Sequence, residues 1–271
     1  MLWSSASIAA KFGLPYTEPL PYFTLRFLLA GAILLLVSHV YNKERLPVGQ
    51  EWKQIAIFGA FNTALYLGIF IIALQFVAAS ITTLAVALNP LFISVMTSFS
   101  TGRKVTGREW ISIGVGMVGV GIATYPLLET SHATLTGVAL IGLCIVMYSF
   151  GSVYYASIRW TLTRMTVNAW QVFFGGLMLL PFAALLYEGR QTWNAPFWWS
   201  LAWLVFMVSI IAVQLWLRLL KTDAVRASMW MFLVPVFGIV FANILLDEPF
   251  TVFTAIGGAM VIGALYIGQR R

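Results

Sequence analysis

Two histidines, His39 and His132, one cysteine, Cys144, and nine acids are all this chain offers to covalent, metal or acid–base chemistry. None of them clusters. The acids Glu18, Glu44, Glu51, Glu109, Glu129, Glu188, Asp223, Asp247 and Glu248 lie in or near loops, and no Asp or Glu sits in the middle of an apolar run. No Ser–His–Asp set, metal-ligand spacing or phosphate-binding lysine loop can be argued, so no catalytic residue, metal or cofactor is expected. The stretch "GVGMVG" (114–119) matches a dinucleotide fingerprint by letter, but it lies inside a continuous apolar run without a preceding strand. Its glycines fit close helix packing instead. What remains is a set of amides, hydroxyls and aromatic rings set into apolar sequence. Their chemistry is reversible, non-covalent binding. Polar groups in such surroundings are costly unless they face a cavity or another helix.

Helical spacing sorts them into faces. Trp3 and Ser7 share one; Tyr148, Ser152 and Tyr155 share another; Asn62 and Tyr66 a third; Thr82 and Asn89 a fourth. Gln214 continues the stripe Met207–Ile211, and Ser228 and Trp230 open a later run without sharing a face. These twelve residues are the expected substrate-binding set. Ser and Thr also bond their own helix backbone readily, and Trp and Tyr near run ends anchor at membrane interfaces, so the symmetry of the set carries more weight than any member.

The elements that must hold these residues are dictated by composition. The chain of 271 residues is 61 % hydrophobic and 9 % charged, with mean hydropathy +0.90. A soluble domain carries about a quarter charged residues; here the solvent for most side chains is lipid. A spanning helix needs ~20 mostly apolar residues. Candidate spans run over about 1–14, 20–40, 54–74, 79–99, 108–126, 134–158, 167–187, 197–217, 224–245 and 250–269. The cations fix direction. Lys43, Arg45, Lys53, Arg103, Lys104, Arg108, Arg159, Arg164, Arg218, Lys221, Arg226, Arg270 and Arg271 fall on one side; only Lys11 and Arg190 fall on the other. The first group and both termini are expected in the cytoplasm. The net charge of +7 is thus a topology signal, not a nucleic-acid footprint.

Pro90, inside "AVALNPLFISV", has a counterpart in Pro235, inside "MFLVPVFGIV". The offset is 145, and at that offset the two halves align without a gap: Ser4 with Ser149, Gly31 with Gly176, Ala79 with Ala224, Phe92 with Phe237, Thr106 with Thr251. Each half holds five spans, an odd number, so the halves must be inverted about an axis in the membrane plane, a device of secondary transporters. The expected fold is an all-α polytopic membrane protein of ten transmembrane helices as two inverted five-helix repeats, over 1–126 and 134–271. The alignment places Trp3 on Tyr148, which leaves the first helix ~10 residues short of a span and suggests a truncated start. Pro90 and Pro235 are expected to loosen the fourth helix of each half as hinges, with a plain packing kink as the alternative.

The segments "LWSSASIAAKFGL", "ALQFVAASITTLAVALNPLFISVM" and "LWLRLLKTDAVRASMWMFLVPVFGIVFANILLDEPFTVFTAIGGAMVIGAL" resemble the EamA-type transporters of the drug/metabolite transporter superfamily. The resemblance spans essentially the whole chain. It implies ten helices around a pseudo-twofold cavity in a bacterial inner membrane, and passage of small metabolites. Two departures stand out. Arg103 replaces the loop glutamate that the second half keeps as Glu248, and Ser4 stands where a glycine follows the first tryptophan.

The leading expectation is a secondary transporter moving amino acids or related amphiphilic or drug-like compounds, in the export direction, by alternating access. Its partners are a small-molecule substrate and the bilayer, with oligomeric state left open. A lipid-acting enzyme would need a catalytic cluster at one interface. A receptor or assembly scaffold without transport is the alternative, and it leaves the repeat unexplained. Arg26 stands inside the second span and pairs with Gln171 by offset; snorkelling or helix pairing is favoured for it over attraction of an anionic substrate.

Overall fold

The computed structural model describes residues 1–77, 85–128, 134–246 and 251–270. They form helices joined by short loops, and among them the only strand-like pairing is a single bridge between Thr17 and Gln191. The helices are α1 (Ser4–Gly13), α2 (Pro19–Tyr41), α3 (Gln50–Ala73), α4 (Asn89–Thr101), α5 (Gly107–Leu128), α6 (Leu135–Ser157), α7 (Arg164–Leu185), α8 (Ala195–Thr222), α9 (Ala224–Leu245) and α10 (Val252–Gln269). Seven of them, α2, α3 and α6 to α10, are long and apolar enough to cross a membrane. Large apolar side chains such as Phe182, Trp199 and Ile262 are exposed on the outer surface, as lipid contact requires and water does not allow at this density.

The starts of these helices are written locally. Thr134, Thr163, Asn194 and Thr251 each accept the backbone N–H three residues on. Asp223 accepts two, from Val225 and Arg226. Thr106 and Glu109 cap each other's backbone N–H at the start of α5, a reciprocal pairing. Gly102 closes α4 in the left-handed region at φ 67°, where a Cβ is unfavourable.

Several helices are not regular. α2 ends in a π-helical stretch, Leu36–Tyr41, and α3 and α8 contain others at Ala60–Leu65 and Leu204–Ala212. The last two fall at equivalent places under the 145-residue offset. The two prolines do too, but neither interrupts a regular helix. Leu88 N donates to Ala85 O in a tight turn, and Asn89 then begins α4, so that Pro90 stands in its first turn. In α9 a 3₁₀ turn, Trp230–Phe232, precedes the segment that contains Pro235. Proline is tolerated there because first-turn N–H groups have no intrahelical acceptor to lose. Most of the 79–99 span that precedes Pro90, residues 79–84, lies outside the described residues.

Packing contacts also recur in pairs. A Cβ on Gly31 of α2 would collide with Phe173 of α7, and one on Gly176 of α7 would press on Leu28 of α2. A Cβ on Gly257 of α10 would meet Ala123 of α5, and one on Gly268 would meet Ser112. Adding or subtracting 145 turns each contact into its partner. Two glycines of the α5 run serve helix packing, Gly119 against Gly257 and Gly116 against Phe232, while Gly114 and Gly121 face open space.

At the end of the bundle rich in cations, two polar ties join the halves. Arg45 and Thr161 converge on Glu51, and Arg103 bridges Glu109 and Asp223 with Arg226 alongside. The Glu109 bond holds the Arg103 guanidinium above its ordinary pKa, against the opposing pull of burial. At the other end, Glu18 accepts the backbone N–H groups of Glu188 and Arg190, and Thr192 N donates to Tyr16 O.

Candidate substrate site

Four aromatic side chains from four places in the chain meet at the centre of the bundle. Trp3 of α1 lies edge-on to Tyr148 of α6 at 6.4 Å between ring centroids and 5.2 Å from Trp216 of α8. Tyr66 of α3 lies 5.0 Å from Tyr148, and Trp216 stacks on Tyr148 at 6.5 Å. The ring quadrupoles favour these offset and edge-on contacts. The Trp216 indole N–H is buried without a partner in the protein, and the Ser152 hydroxyl lies one turn beyond Tyr148. Trp3 and Trp216 also form one wall of a groove of about 310 Å³ between α8 and α9, where Leu215, Leu219, Trp230 and Val234 complete an apolar lining. That volume is at the lower end for small-molecule sites.

Beside the rings runs a chain of polar groups. Arg26 Nε of α2 donates to Ser209 Oγ of α8 at 2.8 Å. The Ser209 carbonyl accepts from Asn168 Nδ2 of α7 at 3.2 Å, and Asn168 Oδ1 accepts from Gln171 Nε2 at 3.0 Å. Gln171 Oε1 accepts from Thr63 Oγ1 of α3 at 2.9 Å and, more loosely at 3.4 Å, from Asn62 Nδ2. Glycines let the helices come this close: a Cβ on Gly59 would strike the Gln171 carbonyl, one on Gly175 the Thr63 side chain, and one on Gly151 the Asn62 backbone. The chain ends on a buried acceptor with no partner, Asn62 Oδ1. Thr63 and Ser209 both stand in π-helical stretches, which are frequent at functional sites.

The residues expected from sequence fall into three groups. Trp3, Tyr66 and Tyr148 meet at the ring cluster, with Asn62 and Ser152 within a turn of it. Asn89, Tyr155, Gln214, Ser228 and Trp230 are placed otherwise. Asn89 is buried, donates to Val86 O and accepts from Ser149 Oγ, so its amide braces the turn before Pro90. Tyr155 is buried two turns from Tyr148, between Phe58 and Trp160. Gln214 reaches the Arg164 carbonyl at the start of α7. Ser228 bonds its own helix at Val225 O, and Trp230, about half exposed, faces the groove. The Ser7 side chain and all of Thr82 lie outside the described residues.

Trp216, Asn168, Ser209 and Thr63 were not singled out by sequence. Ordinary helical spacing extends the stripe from Met207 to Gln214 and passes over Trp216. The π-helical stretch Leu204–Ala212 takes more residues per turn, which rotates the following turns and brings Trp216 inward. Of the two expectations for Arg26, helix pairing holds and snorkelling does not: it is 8 % exposed and bonded to Ser209 of α8.

Known proteins bear on this arrangement. The EamA-like transporter family matches residues 1–125 and again 135–268. An uncharacterized transporter of Archaeoglobus fulgidus is 25 % identical over 98 % of this chain and 93 % of its own length. The probable amino-acid metabolite efflux pump of Escherichia coli K12 is 24 % identical over 98 % of this chain and 91 % of its own. The protein PecM of Dickeya dadantii is 24 % identical over 98 % and 86 %. A solved crystal structure, 19 % identical, superposes over 99 % of this chain and 93 % of its own with a TM-score of 0.84, a likeness of fold.

Proposed function

This chain belongs to the EamA-like transporter family and is an all-helical, multi-pass membrane protein, and from that membership we propose that it moves small amphiphilic metabolites through the aromatic cluster by alternating access. The substrate class is amino acids or related compounds, and the direction is export. The name of the Escherichia coli relative is consistent with both. The observation that carries the reading is the contact between Trp3 and Tyr148. The two are each other's counterpart under the 145-residue offset, so they touch on the axis that would relate the halves. A site on that axis is the one place that both conformations of an inverted-repeat carrier can share.

The layout we propose is ten transmembrane helices in two inverted repeats, 1–126 and 134–271, with both termini and the cation-rich loops in the cytoplasm of a bacterial inner membrane. The reciprocal contacts of Gly31 and Gly176, of Gly257 and Gly268, and the matching π-helical stretches of α3 and α8 support the repeat. Trp3, Asn62, Tyr66, Tyr148 and Ser152 line the path in this reading. Pro90 and Pro235, each following a break in its helix, act as hinges.

Flux in proteoliposomes, screened over amino acids, aromatic acids, amines and uncharged aromatics, tests the proposal. Saturable flux of at least one class that falls when Tyr148 is replaced supports it. No flux for any class, together with ligand-triggered binding of a partner protein, would sink it in favour of a receptor or scaffold.

A further inference from the structure

Arg26 is a buried charge without a counter-charge. Its side chain is on α2, 8 % of the residue is exposed, and its guanidinium sits over the rings of Phe27 at 5.1 Å and Phe23 at 5.8 Å. Nε is satisfied by Ser209. Among the described residues the two terminal nitrogens have no acceptor, and no Asp or Glu comes within ion-pair distance. The ion-paired acids, Glu51, Glu109 and Asp223, belong to Arg45, Arg103 and Arg226 at the cation-rich end of the bundle. Taking a charge out of water costs several kcal/mol unless it is paired. Two aromatic faces and one hydroxyl offset part of that and leave a planar fork of N–H donors unspent.

The fork is close to the site. Phe23 and Phe27, over which the guanidinium sits, pack with Tyr66 around Ala64, Leu67 and Leu179, and Tyr66 is one of the four central rings. Ser209, which fixes the guanidinium, belongs to the same polar chain that ends on the unpartnered Asn62 Oδ1. The helices thus hold a cationic fork, a ring-lined apolar wall and a free amide acceptor in one neighbourhood.

We propose that Arg26 receives the carboxylate of the substrate, whose apolar body lies against Trp3, Tyr66, Tyr148 and Trp216; the inference rests on the transporter reading above. A carboxylate fits because the guanidinium offers two parallel N–H groups, and that match is bidentate and planar. Among the described residues no second cation joins Arg26 in its ring-lined setting, so one negative charge is what the site can neutralise. The substrate itself completes the ion pair that the fold leaves open. Binding then removes the penalty of the unpaired charge, a gain an uncharged analogue cannot make.

The test uses the full chain in proteoliposomes with three probes that share one ring: phenylalanine, 3-phenylpropionate and the uncharged 3-phenylpropionamide. Binding is read by thermal stabilisation and flux by radiolabelled uptake. For the unsubstituted protein the two carboxylates are expected to bind and move, and the amide to do so far more weakly. Arg26→Gln keeps an N–H for Ser209 and loses the charge; it is expected to lose carboxylate binding by at least ~30-fold, the loss that follows when one side of a buried charge pair is removed, with amide binding unchanged. Arg26→Lys, a charge without the fork, should fall between. A purely structural pin between α2 and α8 would lower the thermal midpoint of Arg26→Gln while its preference for carboxylates stayed that of the unsubstituted protein, and that result overturns the proposal. So does an unsubstituted protein that carries the amide as well as the acids, an outcome that leaves the transporter reading standing. Absence of flux for these probes and for every other class in the wider screen overturns both.

Discussion

Replacing Glu109 by Gln should open the cation-rich end of the bundle. The Glu109 side chain is 2 % exposed and takes bonds from Arg103 Nη2 at 2.7 Å, Arg103 Nη1 at 3.1 Å, Thr106 N at 2.9 Å and Arg226 Nε at 3.4 Å. It is the acid on which the α4–α5 loop of one half meets the α8–α9 junction of the other. Glutamine keeps one acceptor and turns the other oxygen into an NH₂ that faces a guanidinium. Two charge-assisted bonds at about 1.5–3 kcal/mol each are weakened. Arg103 and Arg226 are 27 % and 29 % exposed in their side chains, and Arg103 keeps Asp223. Solvent and the surviving pair discount the loss to about 2–3 kcal/mol. If the tie exists only when this end is closed, that energy raises the open population roughly 30- to 150-fold, at about 1.4 kcal/mol per decade. Ala227, buried one turn beyond Asp223, is the reporter. With Cys144 replaced by Ala, an Ala227→Cys protein is labelled by a membrane-impermeant maleimide from the cation-rich side, with and without Glu109→Gln. The labelling rate is expected to rise by that factor. A fall in thermal midpoint with an unchanged labelling rate would refute the reasoning, since the cluster would then hold the fold and not a conformation.

Three other outcomes follow from the same contacts. Tyr148→Ala removes the ring that touches Trp3, Tyr66 and Trp216 and should cut flux by ~30-fold or more, as loss of a buried aromatic anchor does, while Leu143→Ala on the exposed side of the same helix changes it little; equal effects would dismiss the site. Pro90→Ala and Pro235→Ala should alter flux rates with thermal midpoints nearly kept, because both prolines stand in first turns; altered midpoints with normal flux would remove the hinge. Gly257→Ala sets a Cβ 2.3 Å from the Gly119 carbonyl and should cost about 3 kcal/mol, the upper range for overpacking, read as a drop of several degrees in midpoint; an unchanged midpoint would mean that α5 and α10 are not in contact there.

What the sequence discloses here is whatever depends on composition and short-range signals. Apolar runs of the right length became helices, and their starts fall on Thr134, Thr163, Asn194, Asp223 and Thr251, residues that cap by their own side chains. Tyr148 could be put on an inward face because its helix has regular turns around it. Trp216 could not, because its face depends on the nine-residue π-helical stretch before it, and nothing in "LVFMVSIIA" announces one. Arg26 shows a different limit. Its distance from the helix end allows the side chain to reach outward or inward, and the choice is made by Ser209, 183 positions away. Asn89 was picked for its polarity, yet its amide is spent on Val86 and Ser149. A one-dimensional reading finds polar groups in lipid but not which of them are already bonded.

The contact of α5 with α10 has a bearing on evolution. Gly257 rests on Ala123, and Gly268 rests on Ser112, its mirror under the repeat. A seam that reads the same from both sides needs no second invention: two copies of one five-helix ancestor, inserted in opposite senses, would already fit along it. If the halves are such copies, Arg26 and Gln171, or Arg103 and Glu248, are positions at which they would have drifted apart while the seam kept the tandem product assembled.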